Sequence, residues 1–274
     1  MGKPQLLNTV LNNKVVMPLL GLGVYDMYNS EAEQAVESAL EIGYRLIDSA
    51  SMYQNEKEIG NAIKRSSISR EEIFITTKLN NTDHGYDQAL KAFDVSLKKL
   101  QLDYIDLYLI HWPIKSGRKE SWEALEKLYA DKRVKAIGVA NYTVPFLQEL
   151  KTYSSIVPAV NQIEFSPWLY QKDVLDHCKD QGTQLQSYSP LTRGIKFNDP
   201  RLIKLCNKYQ RSPAQIILNW NIQLGVSAIP KSIKVERLQE NYDATNFDLE
   251  LDDVLFMNSF NEGFRICDDP IQFL

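Results

Sequence analysis

The sequence predicts an α/β fold, a (β/α)8 TIM barrel with an N-terminal β-hairpin and a C-terminal helix and tail. Eight short apolar runs alternate with segments of helical periodicity, and no Pro-, Gly- or Ser-rich linker interrupts them. Such alternation gives a parallel sheet covered by helices, and about 250 residues is the usual size of a closed barrel. We therefore expect residues 1–274 to form one domain. An open doubly wound sheet is the alternative fold.

The N-terminal segment is expected to be a β-hairpin. Thr9–Leu11 and Val15–Met17 flank the turn residues 12–14, whose sequence Asn-Asn-Lys is typical of a short connection between strands. The first helix of the barrel is predicted to begin at Ser30. Glu33 stands three residues later, and this spacing favours a capping box.

The barrel elements follow in order. The predicted strands are Leu19–Gly23, Tyr44–Ile47, Ile73–Thr77, Tyr104–Ile110, Ala136–Val139, Ala159–Ile163, Gln184–Ser187 and Val226–Ile229. The helices predicted after the first one are Asn55–Lys64, a long helix that ends near Leu100, Ser121–Ala130, Val144–Thr152, Lys172–Asp180, Pro213–Gln223 and Val235–Asn241. A further helix, Leu251–Asn258, is expected to precede the tail.

Composition excludes several classes of function. The chain has 31 basic and 35 acidic residues, a net charge of −4, which argues against binding to nucleic acid or to an anionic membrane. No apolar run approaches the roughly 18 residues of a membrane span. Three cysteines outside any CxxC motif, and only three histidines, indicate a reduced intracellular protein without a histidine-rich metal site. Met1–Leu6 lack a signal-peptide core, so we expect a cytoplasmic protein.

Polar residues at the ends of neighbouring strands indicate carbonyl chemistry. Asp48, Lys78 and His111 end the second, third and fourth strands, and Tyr53 lies in the loop after the second. All of them should meet at the catalytic face of a parallel barrel. A carboxylate holds a buried lysine charged, and the ammonium is expected to lower the pKa of the phenol, which makes Tyr53 a general acid. Because these groups supply no electrons, the site needs a bound hydride donor.

An anion site is predicted after the last strand. Lys231, Ser232 and Arg237 stand near a helix start, where amide groups and cations suit a phosphate such as the 2′-phosphate of a dinucleotide. A solvated basic loop is the alternative. Gly21 and Gly23 do not form a Rossmann turn, because Asp26 occupies the position of the third glycine.

Four separated motifs resemble those of the aldo-keto reductase superfamily. They are residues 44–56, 76–79, 106–113 and 229–237, in the family's order and over most of the chain. The sequence is most similar to short-loop microbial and protist members of the 2,5-diketogluconate reductase and prostaglandin F synthase types. The resemblance implies a barrel that binds NADP(H) without a Rossmann fold.

It also implies residue roles. Matching positions give a catalytic tetrad, Asp48, Tyr53, Lys78 and His111, with Tyr53 as proton donor. The implied cofactor-binding residues are Asn141, Gln162, Tyr188, Ser189, Leu191, Lys231, Ser232, Arg237, Glu240 and Asn241. The implied substrate-binding residues are Tyr25, Asn80, His111 and Trp112, and no metal is expected.

The chain departs from the family pattern at three of these places. Ala140 replaces a serine before Asn141, which is expected to weaken contacts to the nicotinamide amide without abolishing binding. Tyr25 and Asn80 replace tryptophans of the pocket wall. The resulting pocket should be more polar and suit small or hydroxylated carbonyl compounds.

The sequence therefore predicts an NADPH-dependent oxidoreductase that reduces aldehydes and ketones to alcohols. Its partner is a small-molecule substrate, and we expect a monomer. Two other functions stay open. One is a nicotinamide-binding sensor or subunit with slow turnover, and the other is a Schiff-base lyase with Lys78 as nucleophile.

Overall fold

A closed ring of eight parallel strands forms the centre of the computed structural model, which describes residues 7–273. A hairpin of β1 (Asn8–Val10) and β2 (Val16–Pro18) precedes the ring. The ring strands are β3 (Leu22–Gly23), β4 (Leu46–Asp48), β5 (Phe74–Leu79), β6 (Ile105–Ile110), β7 (Val134–Ala140), β8 (Val160–Glu164), β9 (Gln184–Tyr188) and β10 (Ser227–Ala228). They lie side by side in chain order.

Hydrogen bonds between β10 and the residues just before β3 close the ring. The Gly21 amide donates to the Ala228 carbonyl at 2.9 Å, and the Ala228 amide donates to the Leu19 carbonyl at 2.8 Å. A Cβ atom on Gly23 would lie 2.7 Å from the Ile229 carbonyl oxygen, so only glycine allows this approach. The predicted barrel is confirmed, and the open sheet is excluded. The two glycines of the apparent dinucleotide motif thus lie at the seam of the barrel.

Helices cover the outside of the ring. They are α1 (Asn29–Ile42), α2 (Glu56–Arg65), α3 (Tyr86–Leu100), α4 (Arg118–Ala130), α5 (Val144–Tyr153), α6 (Lys172–Gln181), α7 (Pro200–Tyr209), α8 (Pro213–Gln223), α9 (Val235–Tyr242) and α10 (Leu251–Asn258).

Two helix predictions need correction. The capping box at Ser30 is wrong, because α1 begins one residue earlier and Tyr28 precedes it without a capping side chain. Glu33 instead accepts a hydrogen bond from Asn61 of α2 at 2.7 Å. Helix α7 was not predicted, although Asp199 caps it and Pro200 occupies its first turn. These two residues are a sequence signal for a helix start.

Alternation along the strands divides the barrel interior into an apolar lower part and a polar upper part. Leu46 and Asp48 project inward from β4 in register with Phe74 and Thr76 of β5, and Lys78 continues the inward series. The lower layers form an apolar cluster of the residues Leu11, Met17, Leu46, Phe74, Leu107, Leu109, Ala136, Ala140, Ala159, Val160 and Ile229. The polar ends of the strands therefore meet above this core.

The hairpin covers the lower end of the barrel. Leu11 and Met17 are buried in the interior cluster. Thr9 donates a hydrogen bond to the Gln184 side chain at 2.9 Å, and Asn13 donates to the Lys135 carbonyl at 2.9 Å. Both partners lie near the amino ends of their strands, so the opposite end is left for the site.

None of the helices within residues 7–273 has both the length and the hydrophobicity needed to cross a bilayer. Within the same range, no three His, Cys, Asp or Glu side chains converge as metal ligands would. The expectation that Met1–Leu6 form no signal peptide lies outside the described residues.

Candidate active site

A buried lysine ion pair lies at the centre of the upper barrel. Lys78 Nζ donates to Asp48 Oδ1 at 2.5 Å and to the Ser49 carbonyl at 2.8 Å. Its third contact is Tyr53 Oη at 3.4 Å. Lys78 is fully buried and Asp48 is 1% exposed. Because the first two partners can only accept, an ammonium group directs its third hydrogen toward the phenol oxygen. Tyr53 then keeps its own hydrogen for another acceptor.

His111 and Tyr53 lie together at the mouth of the barrel. Their rings are in edge-to-face contact with centroids 5.6 Å apart. His111 follows the last residue of β6 and is 7% exposed, and its Nδ1 atom has no hydrogen-bond partner among the described residues. The structure thus brings the four predicted catalytic residues together, from β4, β5 and the loops after β4 and β6.

Burial controls the proton affinities of these groups. It raises the pKa of the Tyr53 phenol well above its usual value, and the nearby Asp48 carboxylate acts in the same direction. The phenol's pKa is thus raised rather than lowered as the sequence predicted, because burial dominates it. Burial also lowers the pKa of the His111 imidazole well below its usual value, with a smaller contribution from the Lys78 charge. At neutral pH the Tyr53 phenol is therefore protonated and the His111 imidazole is neutral.

A residue of another strand, β8, also stabilises the ion pair of Asp48 and Lys78. Burial raises the pKa of the Asp48 carboxyl and lowers that of Lys78, while their mutual attraction opposes both shifts. Gln162 of β8 donates a hydrogen bond to Asp48 Oδ2 at 2.7 Å. Both carboxylate oxygens are thus paired, which a buried charge requires. The amide nitrogen of Gln162 donates to both Asp48 and Gln186. Neither of these bonds uses the Oε1 atom of Gln162.

Asn141 and Tyr188 are joined beside this network. Asn141 follows β7 with a φ of 65°, a left-handed conformation that asparagine adopts more readily than most residues. Its amide nitrogen donates to the His111 carbonyl at 2.9 Å, and its Oδ1 accepts from the Tyr188 hydroxyl at 2.7 Å. Tyr188 ends β9 and is half-buried. These two residues and Gln162 form one polar surface next to His111.

The loop after β9 continues from this surface. Ser189 has a φ of 48°, and Leu191 is half-buried against the core. Thr192 and Arg193 also have positive φ values, of 49° and 51°. The loop is therefore a sharply turned segment at the rim of the site.

Cations cluster at the start of α9. Lys231, Lys234 and Arg237 are exposed, and among residues 7–273 no carboxylate forms an ion pair with any of them. Ser232 is 7% exposed, and its hydroxyl accepts a hydrogen bond from the Lys234 amide at 3.1 Å. Unpaired cations beside a helix N-terminus favour an anion. Of the other two residues predicted here, Glu240 is half-buried and Asn241 is buried.

The predicted substrate residues lie around the mouth. Tyr25 is 51% exposed and meets the Tyr53 ring edge-to-face at 5.1 Å. Trp112 is half-buried and contacts Phe273 at 5.6 Å between centroids. Asn80 is half-buried and uses its Oδ1 to accept from the Asn81 amide at 2.8 Å, which caps a short 3-10 turn. The rim thus combines aromatic surface with an amide group.

Two residues that build the site were missed from the sequence. Asn55 is buried and donates to the Val24 carbonyl at 2.8 Å, and it accepts from Ser49 at 2.8 Å, so it holds the loop that carries Tyr53. Glu164, the last residue of β8, is 3% exposed and binds backbone amides of the tail. The sequence did contain one signal for Glu164, because it is a charged residue at the end of a strand that is otherwise apolar or uncharged.

Several known proteins are similar to this chain in sequence and in fold. The family model described as "Aldo/keto reductase family" matches residues 20–262. The chain is 47% identical over 265 residues to glyoxal reductase of Bacillus subtilis (strain 168), covering 96% of both chains. It is 42% identical to methylglyoxal reductase DkgA of Escherichia coli (strain K12), with 94% of both covered. A crystal structure of a Bombyx mori aldo-keto reductase in complex with NADP superposes with a TM-score of 0.90 at 36% identity, covering 96% of this chain and 95% of that one.

Proposed function

The chain belongs to the aldo/keto reductase family, and from this premise we propose that it reduces small aldehydes and ketones to alcohols with NADPH, with Tyr53 as the proton donor. One observation carries the proposal. Lys78 Nζ is bonded to two acceptors and directs its third contact to Tyr53 Oη at 3.4 Å. The phenol is thereby left as a hydrogen-bond donor toward the mouth of the barrel.

The described residues fit NADP(H). The unpaired cations Lys231 and Arg237 suit its 2′-phosphate, and the amides of Asn141 and Gln162 beside the half-buried Tyr188 suit its nicotinamide. The relative from Bombyx mori was crystallised with NADP. Bound in this way, NADPH supplies the hydride for the reaction. Ala140 offers no hydroxyl next to Asn141, so we expect the amides to provide the contacts there.

The protein's own residues supply the proton. A neutral His111 can donate an N–H to the carbonyl oxygen and orient it toward Tyr53. Tyr53 then gives its proton to that oxygen while the carbonyl carbon accepts the hydride. Lys78 stabilises the phenolate that results, and Asp48 balances its charge. The sum is a carbonyl compound, NADPH and a proton converted to an alcohol and NADP⁺.

We propose small α-dicarbonyl compounds as the substrates to test first. Relatives with 47% and 42% identity are a glyoxal reductase and a methylglyoxal reductase. Tyr25 and Asn80 give the rim a polar character that suits compounds with a second oxygen. We also propose that residues 1–274 act as one monomeric domain with a preference for NADP(H) over NAD(H).

The test is a steady-state panel with purified protein. NADPH or NADH is mixed with glyoxal, methylglyoxal and larger aldehydes and ketones, and nicotinamide absorbance is followed. We expect turnover with NADPH, fastest with the small dicarbonyl compounds. No loss of absorbance with any compound, although the protein is folded, would contradict the proposal. Tight retention of NADPH with negligible turnover would favour a sensor.

The Schiff-base alternative receives no support from Lys78. Its Nζ is fully buried and bonded to Asp48 and the Ser49 carbonyl, so no lone pair points to the mouth. Borohydride trapping of a carbonyl compound on Lys78 would nevertheless favour a lyase and contradict the reductase.

A further inference from the structure

The C-terminal segment crosses the mouth of the barrel between two attachments. We define residues 262–273 as the C-terminal strap. At its first end, the amides of Glu262 and Phe264 donate to the Trp168 carbonyl, at 3.1 and 3.0 Å, in the loop after β8. At its far end, the Phe273 ring contacts Trp112, in the loop after β6. The strap therefore spans the strand ends that carry the site.

A buried carboxylate holds the middle of the strap. Glu164 Oε1 accepts from the Ile266 amide at 2.5 Å, and Glu164 Oε2 accepts from the Cys267 amide at 3.0 Å. The residue is 3% exposed, so water competes little for these bonds. A carboxylate can receive two parallel N–H groups, whereas an amide side chain offers only one oxygen.

The clamp lies beside the polar surface that Gln162, Asn141 and Tyr188 form. Glu164 lies two residues after Gln162 on β8, and it is the register partner of Tyr188 on β9. Glu164 accepts from the amides of Ile266 and Cys267, so the clamp holds the middle of the strap at this strand end, next to Tyr188.

A second contact supports the same geometry. Gln171 donates to the Glu164 carbonyl at 2.7 Å, and its Oε1 lies 3.4 Å from Arg265 Nη2. The backbone of Glu164 and the strap are thereby joined a second time. These bonds hold only the part of the strap near Glu164. The far end of the strap is held separately by Arg118, which donates to the Phe273 carbonyl at 3.3 Å.

We propose that Glu164 is a positioning residue that clamps the C-terminal strap over the mouth and thereby sets the affinity for the carbonyl substrate. The inference rests on the proposed reductase function. Glu164 acts through the strap and transfers no proton to the substrate. Its removal should therefore raise KM and leave kcat nearly unchanged, because Tyr53, Lys78 and His111 keep their contacts.

The experiment compares Glu164→Gln with a matched control, Glu250→Gln, whose carboxylate is 68% exposed. Amide hydrogen exchange of residues 266 and 267 is measured together with KM, kcat and the affinity for NADPH. We expect at least tenfold faster exchange and at least a fivefold higher KM in Glu164→Gln, with kcat within twofold of the unsubstituted protein. The control should match the unsubstituted protein in all four quantities.

Three outcomes would overturn the proposal. They are unchanged exchange at residues 266 and 267, faster exchange with an unchanged KM, and a fall in kcat that parallels a loss of folded protein. If Glu164→Gln does not fold, Glu164→Asp takes its place, because it keeps the charge but shortens the reach. If the unsubstituted protein reduces no carbonyl compound, the proposed function fails on that result, and the exchange data still decide whether the clamp exists.

Discussion

Lys78 Nζ lies 3.4 Å from Tyr53 Oη and 2.5 Å from Asp48 Oδ1, so one buried ammonium group joins the phenol to a carboxylate. This arrangement separates two roles. The carboxylate keeps the ammonium charged, and the ammonium is ready to stabilise a phenolate when the phenol gives up its proton.

Removing the ammonium should cost both stability and activity. In Lys78→Met, Asp48 is left as an unpaired buried carboxylate, which typically costs about 3–5 kcal/mol in the free energy of unfolding. We expect carbonyl reduction to fall by about 10²- to 10⁴-fold. The double variant Asp48→Asn/Lys78→Met should recover most of the stability but none of the activity. Urea denaturation and steady-state kinetics measure the two effects, and equal recovery of both would contradict the assigned role.

The cations at the start of α9 should determine the choice of cofactor. Lys231→Ala/Arg237→Ala is expected to weaken NADPH binding at least tenfold and to leave NADH binding unchanged, because only NADPH carries the 2′-phosphate. Fluorescence titration with both cofactors measures this difference. Lys179→Ala, at an exposed position on α6, serves as the control. A similar loss for both cofactors would argue against a phosphate site.

The rate of reduction should not follow an ordinary histidine titration. Because burial lowers the pKa of His111, the imidazole stays neutral through pH 6–7, and no inflection is expected near its usual value of about 6.5. Because burial raises the pKa of Tyr53, the proton donor stays protonated on the alkaline side well past neutrality. The pH profile of kcat/KM should thus be flat between about pH 6 and 8. A break near pH 6.5 that disappears in His111→Gln would contradict the assigned protonation state.

The seam of the barrel should not tolerate a side chain. In Gly23→Ala, the new Cβ would lie 2.7 Å from the Ile229 carbonyl oxygen, so the two strands must separate. We expect the free energy of unfolding to fall by about 1–3 kcal/mol, as in other overpacked interiors. Denaturant unfolding measures it against Lys98→Ala on the exposed face of α3, where little change is expected. An unchanged midpoint in Gly23→Ala would mean that the seam is not closed by these bonds.

The sequence was sufficient for the barrel and for the meeting of Asp48, Lys78 and His111, because parallel strands bring their carboxyl ends to one face. It did not predict the direction of the Tyr53 pKa shift, since that depends on burial in the finished fold. It also gave no account of Glu164, whose partners Ile266 and Cys267 are about a hundred residues away in the chain. Helix α7 was missed although its start was signalled locally, at Asp199 and Pro200. The single domain, the monomer and the cytoplasmic location stay predictions.

The role of Tyr53 as proton donor is tested most directly by the variant Tyr53→Phe, which removes one hydroxyl and keeps the ring contacts with Tyr25 and His111. NADPH affinity and the single-turnover rate of methylglyoxal reduction are measured in this variant and in Tyr86→Phe, at an exposed position in the first turn of α3, as control. We predict a rate at least about 10²-fold lower in Tyr53→Phe, with NADPH affinity and the control unchanged. A single-turnover rate within a few-fold of the unsubstituted protein would contradict Tyr53 as the proton donor.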